Sequence, residues 1–157
     1  MRKLASLLIV VLTAAALNTG VAFGADHDLA RPYNGSGSGI DTIPVLGGST
    51  FVVDGTITSR FGTGTFHSQG TQTGPTSFTF ATTVVYARGT LTSTASGTNT
   101  GPNTSTSINT ITGGTRRFAR ATGSTTVTAT TSPTANPQIR TITFTFTGTI
   151  TLHDKRG

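Results

Sequence analysis

Residues 139–152 read IRTITFTFTGTITL. Ile142, Phe144, Phe146, Ile150 and Leu152 fall on one parity, with Gly148 among them. Thr141, Thr143, Thr145, Thr147, Thr149 and Thr151 fall on the other. Side chains of a strand point alternately to opposite faces, so this is one long strand with a buried apolar face and a hydroxylated face. A slip of one residue would expose every apolar group, which fixes the register. Gly148 is expected to let so long a strand bend, as a closed barrel requires.

The same alternation extends back through the chain. Phe51, Val53, Gly55 and Ile57 alternate with Val52, Asp54, Thr56 and Thr58. Residues 62–73 carry Phe66 and His67, and residues 76–86 place Phe78 and Phe80 on one face. Segments 90–97, 108–112 and 124–130 follow. Gly74-Pro75, Arg88-Gly89 and the Ser132-Pro-Thr-Ala-Asn-Pro137 stretch are turn signals. Residues 98–107, with Gly101-Pro102-Asn103 inside, read as a polar loop.

The β-propensity of threonine is a sufficient reason for the Thr-x-Thr rows. A flat ice-binding solenoid would need a recurring unit of some twenty residues or more, and none recurs. An outer-membrane barrel would carry aromatic girdles, whereas this chain has no Trp and two Tyr. The expected fold class is therefore all-β, a single antiparallel β-barrel of about eight strands. Its bore is either packed or holds one small ligand.

At the start of the chain, Arg2 and Lys3 precede an apolar run from Leu4 to Leu17, and Ala22-Phe23-Gly24 supplies small residues. Residues 1–24 are expected to be a signal peptide cut before Ala25, leaving a secreted, periplasmic or extracellular protein. The run is short for a retained membrane span. Residues 25–49 are expected to be a flexible lead-in, because Asn34-Gly-Ser-Gly-Ser-Gly39 has a linker's composition, and 50–157 to be the barrel domain. Without cysteine there is neither a disulfide nor a thiolate metal site. Beyond residue 24, nine basic residues stand against five aspartates, a net charge of +4. The lack of any glutamate removes most paired-carboxylate mechanisms.

Residues 111–123, ITGGTRRFARATG, lie between two candidate strands. Gly113-Gly114 permits a sharp reversal or a bulge, Phe118, Ala119 and Ala121 can tuck the loop onto a core, and Gly123 allows a second close approach. Gly113, Gly114, Thr115, Phe118, Ala119, Ala121 and Gly123 together resemble the Gly-Gly-Thr-Gly-Lys/Arg-Phe/Tyr-x-x-Ala-x-Gly pattern of the allene oxide cyclase-like and dirigent-like β-barrels. Arg116 stands where that pattern carries glycine, and Arg120 where it is often small. The likeness covers roughly the last third of the chain. It implies a barrel of that kind and, as one reading, a cyclase-like or stereo-directing enzyme that shapes a small apolar molecule. The family's catalytic residues find no counterpart by motif, so catalytic residues are unknown.

Five residues are ligand-binding candidates. Asp54 is the acidic residue inside a clear strand, although an outer-face, solvated position explains it more simply. Tyr86 and Arg88, two apart beside a turn, could meet an anionic or phenolic ligand at a barrel mouth. Arg116 and Arg117, with Arg120, form a basic cluster that could contact an anionic glycan, a lipid head group or nucleic acid, or simply be solvated. His27, His67 and His153 lack ligand spacing, so neither metal nor cofactor is expected. Hydroxyls are abundant, but no base and orienting acid accompany them. Expected partners are a small apolar ligand in the barrel and a second copy of the chain in a homo-oligomer. Nucleic acid and stable membrane insertion are not expected. The leading functional expectation is a binding or structural module. A cyclase-like enzyme, and a surface-interaction protein using its Thr faces or the Arg116–Arg120 loop, are the alternatives.

Overall fold

A computed structural model describes residues 29–153. The expected signal peptide and its cut before Ala25 lie outside the described residues. The strands are β1 (Leu29–Pro32), β2 (Gly35–Thr42), β3 (Thr50–Ser59), β4 (Gly62–Gln72), β5 (Ser77–Tyr86), β6 (Gly89–Gly101), β7 (Thr104–Gly114), β8 (Thr122–Pro133) and β9 (Ile139–Leu152). A single helical turn, Arg116–Phe118, sits between β7 and β8. From β2 onward each strand pairs antiparallel with the next, and β9 pairs back onto β2, which closes an eight-stranded barrel.

β1 continues β2 along the same edge of β9. Leu29 faces Leu152 and Gly35 faces Phe146 in one unbroken register. The interruption falls at Tyr33 and Asn34, opposite Gly148. There the Tyr33 N–H donates to the Gly148 carbonyl at 2.9 Å, and the Asn34 side-chain oxygen accepts the Gly148 N–H at 3.1 Å. Closure leaves no long unpaired edge on the Thr-rich wall.

The Gly-Ser-Gly-Ser-Gly segment is a strand of this barrel and not a flexible lead-in. Its glycines face the bore directly opposite the large residues of β9: Gly35 against Phe146, Gly37 against Phe144, Gly39 against Ile142. A Cβ at Gly37 would come within 2.4 Å of the Phe144 ring, and one at Gly35 within 2.6 Å of the Phe146 ring. Each ring therefore covers bare backbone on the neighbouring strand, burying apolar surface that the glycine itself cannot offer. Phe51 over Gly70, Phe66 over Gly55 and Phe78 over Gly97 repeat the arrangement around the wall. The expected polar loop at 98–107 is likewise mostly strand. β6 runs to Gly101, β7 begins at Thr104, and only Pro102 and Asn103 turn the chain. Polar residues do not oppose a strand whose outer face is wet, and threonine favours one.

The Gly113-Gly114 pair forms a bulge. Thr92 pairs with Gly113 and Ser93 with Ile111, which leaves Thr112 unmatched. The helical turn then folds Phe118 beneath the barrel, where it has 0% exposure. Tyr33, Tyr86, Leu91, Ala121 and Ile150 pack with it and seal this end. The even-numbered apolar residues of β9 point inward as the alternation requires, and the odd-numbered threonines outward. Phe146 is fully buried, but Phe144 is only half-buried because it faces the open part of the bore.

Candidate functional site

The closed end is held by a chain of hydroxyls. Tyr33 and Tyr86 share a hydrogen bond of 2.9 Å, Ser59 donates to the Tyr86 oxygen at 3.0 Å, and the Phe61 N–H donates to Ser59 Oγ at 3.1 Å. Burial, and then the neighbouring Tyr86, pushes the Tyr33 phenol well above the usual tyrosine range. These groups satisfy one another, so the network reads as a structural floor.

Above the floor the bore encloses a cavity of about 290 Å3. Its wall is mainly apolar and aromatic, with Phe51, Phe66, Phe78, Phe80, Val127 and Phe144 among the lining groups. Phe78 and Phe80 stack with centroids 5.9 Å apart, and Phe66 meets Phe144 edge-on at 5.3 Å. Polar groups interrupt the wall, among them Ser68 with Thr82 at 2.6 Å and Ser107 donating to Asn109 at 3.2 Å.

The mouth is formed by the 43–49, 73–76, 102–103 and 134–138 connections. Gln138 ties two of them together, its side chain donating to the carbonyls of Ile43 and Pro44 at 3.1 and 3.3 Å. Val45 and Leu46 are exposed beside this tie. Just inside stand Asp41 and Arg140, directly paired across β2 and β9. Parity on β2 turns Ile40 outward and Asp41 inward, where it is 3% exposed. The Arg140 guanidinium donates to Asp41 Oδ2. Asp41 Oδ1 and Arg140 Nε are also buried and have no hydrogen-bond partner among the described residues. Both atoms are closed off from solvent, so a ligand could reach this acceptor and donor only if the pair shifted.

Burial holds the Asp41 carboxyl above its ordinary value of 3.8, and the Arg140 charge offsets this only in part. The folded chain therefore binds this proton more tightly than the unfolded chain does. That contribution to stability is fully present below 3.8 and is lost as pH rises through the higher folded value. Asp41→Asn is expected to flatten the fall in melting temperature above pH 3.8. Parallel thermal melts across pH test this, and equal slopes for parent and variant would rule Asp41 out as the source.

The five residues singled out from sequence lie elsewhere. Asp54 is on the outer wall, exposed, 2.6 Å from His67 Nδ1. Such an exposed pair contributes about 0–1 kcal/mol. Tyr86 belongs to the floor, and Arg88, Arg116 and Arg117 lie exposed around the closed end. None of the five lines the bore cavity. Among the described residues no group of three His, Cys, Asp or Glu could hold a metal ion. A second concavity of about 950 Å3 lies open along the outside of β3 to β7, lined by Val52, Thr71, Thr79, Ala81, Thr94 and other uncharged groups. It has no converging polar pair.

Comparison with protein-family models, with curated proteins and with solved structures returned no match.

Proposed function

We propose that this protein binds a small, largely apolar ligand inside its barrel. The carrying observation is the aromatic-walled cavity of about 290 Å3 capped by the Asp41–Arg140 pair. A dry apolar cavity of ~150 Å3 already holds benzene, so this bore has room for a ligand roughly twice that size. The Asp41–Arg140 pair near the mouth suits a ligand with one polar end, such as a hydroxyl or carboxamide, pointing toward it. The apolar remainder of the ligand would lie against Phe66, Phe78, Phe80 and Phe144. Asp41 is the one described carboxylate facing inward, so a cyclase-like reaction in this bore would depend on it for proton transfer.

Titration with N-phenyl-1-naphthylamine, an apolar fluorophore, is the direct test. Saturable enhancement at one site per chain is expected. Ala129→Phe, which projects a ring into the cavity from β8, should weaken that binding at least ~tenfold, about 1.4 kcal/mol, while the fold is retained. Absence of any saturable binding to the parent would favour the scaffold reading. Equal binding to parent and variant would place the probe outside the bore.

A further inference from the structure

We propose that the closed end of the barrel is a docking surface for an anionic phospholipid bilayer. The idea does not depend on what the bore holds. Because the barrel is a simple meander, every second turn falls at the same end. The β3–β4 turn brings Arg60 there, the β5–β6 turn Arg88, and the β7–β8 connection Arg116, Arg117 and Arg120. All five side chains are exposed.

Contacts join them into one patch. The guanidinium carbons of Arg60 and Arg117 lie 5.9 and 5.5 Å from the centroid of the same ring, Phe61. The Arg117 N–H donates to the Arg88 carbonyl at 3.4 Å, and Arg60 Nη1 donates to the Pro32 carbonyl at 3.1 Å, next to Arg31. The two described acids are elsewhere: Asp41 at the mouth and Asp54 halfway along the wall. In sequence, Asp26, Asp28 and Asp154 flank the first and last strands, and Lys155 and Arg156 follow Asp154, which leaves these flanks at −1 against the five arginines.

A second observation concerns the backbone. Arg116 has φ 50°, the one positive φ outside glycine among the described residues. Glycine would adopt this conformation with less strain, so the position carries a guanidinium at the expense of backbone ease.

The chemistry points to phosphate, and the spread over three connections to many head groups at once. Every basic residue among those described is arginine, whose planar fork matches phosphate oxygens in pairs. Both cavities described above lie away from this end among the described residues, and the arginines come from three separate connections, not from one strand-wide track. Exposed arginines brought to one end by three separate connections suit a sheet of head groups, each adding its own attraction. Docking in this way would turn the mouth of the bore away from the bilayer.

Co-sedimentation with phosphatidylcholine vesicles, with and without phosphatidylglycerol, tests the proposal. Binding is expected only to the anionic vesicles and should vanish at high salt, where charge interactions reach only ~3 Å at 1 M. The triple variant Arg116→Ala, Arg117→Ala, Arg120→Ala should bind at least ~tenfold more weakly. Arg116→Gly should melt at a higher temperature than the parent and yet bind more weakly. That combination separates a role in docking from a role in folding, even if the triple variant folds poorly. Equal binding to neutral vesicles would overturn the proposal, as would parental binding by Arg116→Gly. Displacement from vesicles by a short RNA or a sulfated glycan at matched charge would overturn it in favour of a polymeric partner.

Discussion

Phe146→Ala is expected to remove about 3–5 kcal/mol of stability, a large part of what a domain of this size possesses. The ring is 4% exposed, packs 4.9 Å from the Tyr33 ring and covers Gly35 on the adjoining strand. Truncation would lose the transfer energy of the ring and leave a void that Gly35, having no side chain, cannot fill. The strand that closes the barrel would then expose bare backbone to the bore. Thr145→Ala, one residue away on the outer wall, should change stability by under about 0.5 kcal/mol. Urea denaturation of the two variants against the parent measures the difference. Similar midpoints for both would mean that the two faces of β9 are equally buried, contrary to the closed barrel.

Gly114→Val is expected to destabilise by about 3 kcal/mol or more. Gly114 has φ 157°, and a Cβ there would sit 1.9 Å from the Thr90 carbonyl oxygen and 3.0 Å from the Phe118 Cβ. The Thr90 oxygen cannot retreat easily, because it accepts the Thr115 N–H at 2.8 Å and so anchors the start of the helical turn. A side chain at 114 would therefore push the bulge and the Phe118 floor apart together. Arg120→Ala, exposed six residues along, should shift the denaturation midpoint by less than ~0.5 kcal/mol equivalent. If Gly114→Val melts with the parent, the bulge is not what seats Phe118.

Period-two alternation made the closed wall legible, most of all in β9, where twelve positions of Thr and apolar residues admit only one face for the core. At Gly113-Gly114 the sequence left a sharp reversal or a bulge open, and only the pairing of β7 with β6, which runs on through Gly114, makes it a bulge. β2 was not legible. Composition marks Gly35-Ser-Gly-Ser-Gly39 as linker, and only a partner strand gives such a segment anything to bury. The signal was present in the matched spacing, Gly-x-Gly-x-Gly against Phe144-x-Phe146 read in the opposite direction, but it requires the closing pair to be known first.

Missing β2 also hid the candidate site. Asp41 faces inward only because it shares parity with Gly37 and Gly39, and Arg140 belongs with it only once β2 lies beside β9. The sequence-derived candidates were charged or phenolic groups near turns. In a meander those turns gather at the two ends, which is why Arg88, Arg116 and Arg117 collect at the closed pole and leave the bore to other residues.

The pairing of β2 with β9 also sets the order of events as the chain folds. The circle closes between β2 and β9, the barrel strands farthest apart in the described sequence. The intervening hairpins can form one after another from neighbouring sequence, but the final seam needs the two ends of the domain to meet, a non-local contact that slows folding. Until β9 is complete, the nascent sheet keeps two open edges rich in threonine and glycine, a form prone to pairing with other copies of itself. Any chain ending before Ile139 would remain in that state, so the pairing that removes those open edges arrives only with β9.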